Sequence, residues 1–137
     1  MTGQPQPRYP NVVDWVESWF APAINRRLWG KPGQPGKRWC PRWWAHPEVV
    51  LRLNALWRSW EAAVAAGATD ANAMSHWWLN HCEPHLRVVL DSEHGPMALC
   101  SQEQHVDRGG LDVEPVPAGW WDRSAVNRRT NRPAAGR

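Results

Sequence analysis

No apolar run in this 137-residue chain approaches the ~18 residues needed to cross a bilayer, so membrane insertion is not expected. The opening residues, MTGQPQPRYPNVVDW, hold neither a basic start nor an apolar stretch. No export signal is read there, and a cytoplasmic location is expected. Cysteine is sparse and odd in number. Cys40, Cys82 and Cys100 are expected to be reduced thiols in that setting, which excludes a disulfide framework. Lysine is nearly missing, with two against 14 arginines; arginine is the cation that tolerates interfaces and stacks on indole faces. A glycine-rich phosphate cradle and a nucleophile elbow are both lacking. Asn80, His81, Glu83 and His85, with Asp91, Glu93 and His94 nearby, are the polar groups an enzyme would draw on, yet a solvated turn explains them as well. The chain is therefore not expected to be an enzyme.

Tyrosine and phenylalanine occur once each, whereas tryptophan occurs 12 times. Five of these tryptophans fall within RWCPRWWAHPEVVLRLNALWRSWE, residues 38–61. A packed Trp removes roughly 200 Å² from water, so a few suffice to anchor a small core. The length and a 42% apolar fraction suit one domain with tails. Net charge is +3 but uneven: residues 1–45 carry +5, 46–101 carry −3, 102–122 carry −4 and 123–137 carry +5. Basic ends around an acidic middle fit contact with a polyanion, and equally a solvated chain attracted to itself.

Residues 1–8 read as a flexible leader. Pro10-Asn11 supplies a turn and a helix cap, with Asp14 in the first turn. Val12, Trp15, Val16, Trp19, Phe20 and Ala23 then form one apolar stripe, and Pro22 is expected to kink or end this helix near Ala21. GKPGQPGK, residues 30–37, reads as a loop. His46-Pro47-Glu48 starts a second helix whose stripe, Val49, Val50, Leu53, Leu56, Trp57, Trp60 and Val64, runs toward a stop at Gly67. A third helix is expected from Ser75 as cap, with Met74 and Leu79 as a hydrophobic staple and an interruption at Glu83-Pro84. Val88 to Leu90 and Met97 to Cys100, either side of DSEHG, read as a small hairpin that must pack on the helices. The fold class is thus α+β and mostly α. A three-helix, tryptophan-rich core over residues 9–101 carries a docked β-hairpin, with flexible termini at 1–8 and 102–137. Trp120-Trp121 is the one sticky spot in the tail.

Two sets of residues carry candidate chemistry. Cys40, His81, His85 and Cys100 are the metal-ligand candidates, with His46 as a spare. His81 and His85 are four apart, which places two imidazoles on one side of a helix, and mixed sulfur and nitrogen ligands suit zinc. The ligands are scattered, no Cys-x-x-Cys pair exists, and Pro84 disturbs the histidine spacing. No cofactor is therefore expected, with structural zinc as the alternative. The second set is a surface of Arg26, Arg27, Trp29, Arg38, Trp39, Arg42, Trp43 and Trp44. Arg and Trp are enriched at protein–protein hot spots, and the same pair neutralises phosphates and stacks bases. A protein partner is the favoured reading. Nucleic acid is the alternative, without any helix-turn-helix or zinc-finger pattern to specify it.

The stretches RWCPRWWAHPEVVLRLNALWRSWE, MSHWWLNHCEPHLRVVL and HGPMALC resemble an actinobacterial domain-of-unknown-function family. Its pattern runs R-W-C-x-x-W-W-x-H-P-E-A, L-W-R-A-W-E and M-S-x-W-W-x-x-H-x-D-P-H. The resemblance covers roughly residues 9–101, with Val49, Ser59 and Glu83 standing where the family commonly has Ala, Ala and Asp. It implies a setting on plasmids, phages and integrative elements, often beside conjugation genes, and assigns no activity. The expected function is a non-enzymatic accessory adaptor of a mobile element that binds a protein partner, such as conjugation or other mobile-element machinery, through the Trp/Arg surface. The alternative is a nucleic-acid-binding accessory in plasmid transfer or maintenance.

Overall fold

The structure, a computed structural model, describes residues 6–28 and 36–120. Three helical rods make the body. The first runs over 12–23 as α1 (Val12–Trp15), a π-helical turn (Val16–Phe20) and α2 (Ala21–Ala23). Asn11 caps it as expected, its side-chain oxygen accepting the Asp14 N–H at 2.9 Å. A 3-10 turn (Trp43–Ala45) leads into α3 (Pro47–Ala66), which starts at the expected proline and ends against Gly67. The third rod covers 73–89 as α4 (Ala73–Trp77), a second π-helical turn (Trp78–Cys82) and α5 (Glu83–Val89).

Both π turns stand just before a proline, Pro22 and Pro84. A proline ring clashes with the carbonyl four residues back and offers no N–H to it; the wider π turn relieves that conflict. The helix therefore continues through Glu83-Pro84 instead of breaking there, and the first rod runs on past Pro22 to Ala23. The third rod also begins earlier than Ser75, and Leu79 is exposed, so no staple forms with Met74.

The core is built of indoles. Trp15, Trp43, Trp60 and Trp77 are buried with Phe20, Leu53 and Leu56, while Trp19, Trp39, Trp57 and Trp78 pack at the edge. Trp15 stacks on Trp19 and Phe20, with ring centroids 5.6 and 5.0 Å apart, and meets Trp77 edge-on at 88°. Such geometries set the negative ring face against a positive edge and add to the area buried. Trp15 also lies 6.1 Å from Trp60, so an indole of the first rod meets one from each of the other two. Trp77 also donates Nε1–H to Ser59 Oγ at 2.9 Å, across the contact between the second and third rods. Glu61 fixes the entry of the chain, accepting the backbone N–H groups of Arg8 and Tyr9 and the Trp57 indole N–H.

The expected hairpin does not form. Val88 and Val89 end α5, and residues 91–99 make successive turns closed by Gly95 N–H to Asp91 O at 3.2 Å and Ala98 N–H to Gly95 O at 3.1 Å. Leu86, Val89 and Leu90 lie on one buried helical face, and their burial on the rods overrides the strand preference of the Val88-Val89 pair, of which Val88 is exposed. The fold is therefore mostly helical without a sheet; among the described residues the sole bridge joins Leu28 to Lys37. No described helix is long and apolar enough to cross a membrane.

Candidate metal centre

Four side chains from two distant segments converge at one end of α3. Cys40 is held by its backbone N–H, which reaches Met97 Sδ at 3.4 Å. His46 directly precedes α3; Pro47 restricts it to an extended backbone, at φ −105° and ψ 105°. On the other segment, the Arg38 guanidinium donates to Cys100 O at 2.8 Å, and Cys100 N–H closes a turn on Met97 O at 3.0 Å. Ser101 then turns the chain back. Its Oγ accepts the Gln104 N–H at 3.0 Å and its N–H donates to Gln104 O at 2.8 Å, which returns His105 to the side of Cys100.

The result is compact. Cys40 Sγ lies 3.3 Å from His105 Nδ1, and Cys100 Sγ lies 3.5 Å from His46 Nε2 and 4.0 Å from His105 Nδ1. All four ligand atoms fall within 4.8 Å of one another. Around a tetrahedral zinc, bonds of ~2.3 Å to sulfur and ~2.0 Å to nitrogen space S and N about 3.5 Å apart. The S···N separations of 3.3, 3.5 and 4.0 Å lie around that value, so the four side chains could close on a tetrahedral Cys2His2 site. Cys40, Cys100 and His46 are buried, His105 is half-buried, and the rings of His46 and His105 meet at 4.7 Å and 65°. Two further contacts surround the ligands: the Val106 N–H points at Cys100 Sγ at 3.3 Å, and His105 Nε2 lies 2.7 Å from Asp107 Oδ1.

Burial pushes the Cys40 thiol above its usual range, an effect the Arg42 backbone N–H opposes and neighbouring Cys100 reinforces. Burial, and then the nearby His105, lowers His46, so its imidazole is neutral near pH 7. A neutral imidazole is the metal-binding form. A divalent cation would stabilise the thiolate form of the two cysteines in so buried a place. Cys82 is different. Burial and the Glu83 carboxylate push it up to about 12, and among the described residues it belongs to no cluster of three or more candidate ligands.

The sequence reading pairs Cys40 with Cys100, and the structure brings them together. It does not bring His81 or His85. Those two share one side of their rod, but that side faces α3 and solvent: His81 is exposed, and His85 Nδ1 lies 3.1 Å from Arg52 Nη1. Their places are taken by His46, the spare, and by His105, which was read as tail. The signal for His105 is present in the sequence, since Cys40-x5-His46 and Cys100-x4-His105 are near-repeats of one spacing.

The Trp/Arg set is dispersed by comparison. Trp43 is core, Trp39 is half-buried, Arg26 pairs with Glu83 at 3.0 Å, and Arg38 is bonded to Cys100 O. Arg27, Arg42 and Trp44 face solvent, and Trp29 lies outside the described residues, as does Trp121. A pocket of about 120 Å³ between Phe20, Ile24, Leu28, Trp39, Leu86 and Leu90 contains no acid, thiol or imidazole. It is well below the ~300 Å³ of usual ligand sites.

Residues 9–119 match the model of a family described as a domain of unknown function (DUF4913). No curated protein and no solved structure matches the chain.

Proposed function

The chain belongs to that domain-of-unknown-function family, and we propose that it is a zinc-stapled, non-catalytic binding module. The observation that supports this is the approach of the Cys40, His46, Cys100 and His105 ligand atoms to within 4.8 Å of one another. A mixed S2N2 donor set favours zinc over hard cations such as magnesium or calcium. Four protein ligands fill a tetrahedron, as in structural sites, and leave no position for an activated water. A groove of about 490 Å³ beside the cluster, which includes His46, His94 and Asp107, accordingly lacks a metal-bound nucleophile. The zinc holds residues 100–106, which have no helix of their own, against the entry to α3.

The binding role rests on the loop between the first two ligands. Arg42 and Trp44 project to solvent there, with Trp44 62% exposed, at a place the metal makes rigid. Exposed Trp and Arg on a rigid support suit a protein partner. Conjugation or other mobile-element machinery is the partner class in keeping with the family resemblance. Nucleic acid is the weaker reading, because Arg26 and Arg38 are already engaged by protein groups and residues 102–122 are acidic.

Elemental analysis of untagged protein tests the metal. One zinc per chain is expected, lost in Cys40→Ser and Cys100→Ser and retained in Cys82→Ser. A protein that purifies without metal and takes up neither Zn²⁺ nor Co²⁺ under reducing conditions overturns the reading. A salt series of gel shifts separates the partner classes, since phosphate contacts weaken steeply with salt.

A further inference from the structure

His105 presents its two ring nitrogens to two different groups. Nδ1 faces the sulfurs, 3.3 Å from Cys40 and 4.0 Å from Cys100, while Nε2 lies 2.7 Å from Asp107 Oδ1. An ionised carboxylate only accepts hydrogen bonds, so the ring proton belongs on Nε2 and the lone pair of Nδ1 points into the cluster. The separation is at the short end for a charge-assisted bond. Asp107 makes no other hydrogen bond among the described residues, and its side chain is 84% exposed. Packing therefore does not explain why it sits against this ring. Val106, between the two, turns its N–H to Cys100 Sγ, so three consecutive residues all address the same cluster.

We propose that Asp107 is a positioning residue for the metal, acting through His105: it fixes the tautomer and ring orientation that make Nδ1 a ligand. This rests on the zinc reading above and adds a fifth residue to the site. A carboxylate behind a ligating imidazole raises its basicity and removes the freedom of the ring to flip, and losing one weakens metal binding by about 10- to 100-fold. His46 has no hydrogen-bonded carboxylate among the described residues, although the charge of Asp107 reaches it, and it is held by its backbone before Pro47. The outer, half-buried histidine needs the support that the inner one receives from α3.

The test is a double-mutant cycle on the full chain, read by Zn²⁺ competition against a chromophoric chelator and by the visible spectrum of the Co²⁺-loaded protein. Asp107→Ala is expected to weaken Zn²⁺ about 10-fold or more and to alter the Co²⁺ bands, with Asp107→Glu recovering most of the loss. His105→Ala leaves three ligands and a weaker site. In that background Asp107→Ala is expected to change affinity by less than about twofold, because the group it supports is gone. Wild-type affinity in Asp107→Ala, or an equal loss with and without His105, overturns the proposal while leaving the zinc reading intact. A wild-type chain that binds neither metal overturns both.

Discussion

Ser59 is one of the three positions where the chain departs from the resembled family pattern, and its hydroxyl does specific work. Ser59 Oγ accepts the Trp77 indole N–H at 2.9 Å and donates to Leu56 O at 2.9 Å, leaving Leu56 O at 3.3 Å as the only other acceptor for that indole. Ser59→Ala is expected to cost about 1 kcal/mol in urea unfolding, with the Trp77 environment changed in near-UV circular dichroism. The buried titratable groups set limits at both ends of the pH scale for metal-free protein. His46 and His85 lie below their usual 6.5, so the unfolded chain takes up their protons first and stability falls as pH drops through and below 6.5. Cys82 lies near 12 against a usual 9.0, so the unfolded chain releases that proton first and stability falls as pH rises above 9.0. Chelated protein in a pH series of denaturant melts should show a maximum between these limits; a flat profile from pH 5 to 7 would count against the buried, neutral His46. At this scale the pairing of the two cysteines holds, although one of the flanking elements it was read from, the hairpin ending at Cys100, does not form. His81 and His85 were misassigned, because helical spacing reports which side of a rod a residue occupies and not what that side meets.

Helix faces were legible because burial repeats at three and four residues, and Trp15, Val16, Leu53, Leu56 and Trp60 are buried as their stripes require. The π turns and the missing hairpin were not legible. Sequence rules treat proline as a stop, whereas Pro22 and Pro84 are each accommodated by one widened turn. Val88 and Val89 favour strand locally, and the burial of Val89, with Leu86 and Leu90, against the helices decides otherwise. The turn segment that replaces the hairpin depends on Gly95, where a Cβ would stand 2.5 Å from Asp91 O and 2.7 Å from Val88 O, both backbone atoms. Gly95→Ala is expected to destabilise by about 2 kcal/mol or more, since the main chain must move. The same change should weaken metal binding, because Met97 and Cys100 follow in the displaced turn. Thermal melts of the loaded and chelated forms separate the two effects.

At the scale of the molecule, the indole cluster ties the three rods to each other and the Cys/His cluster ties residues 100–105 to the rods. Chelation is therefore expected to leave far-UV helicity largely intact while speeding proteolysis and amide exchange over residues 91–120. Loss of helicity in step with metal removal would instead make the metal a requirement for the whole fold. The two halves of the Cys/His set lie far apart in the chain, with α3, α4 and α5 between them. Ribosomes deliver the chain from its N-terminus, so Cys40 and His46 emerge long before Cys100 and His105. Until then the first two can offer an ion only a weak, bidentate hold. An ion taken up at the proposed centre would thus be gripped by all four side chains only after the intervening helices have found each other.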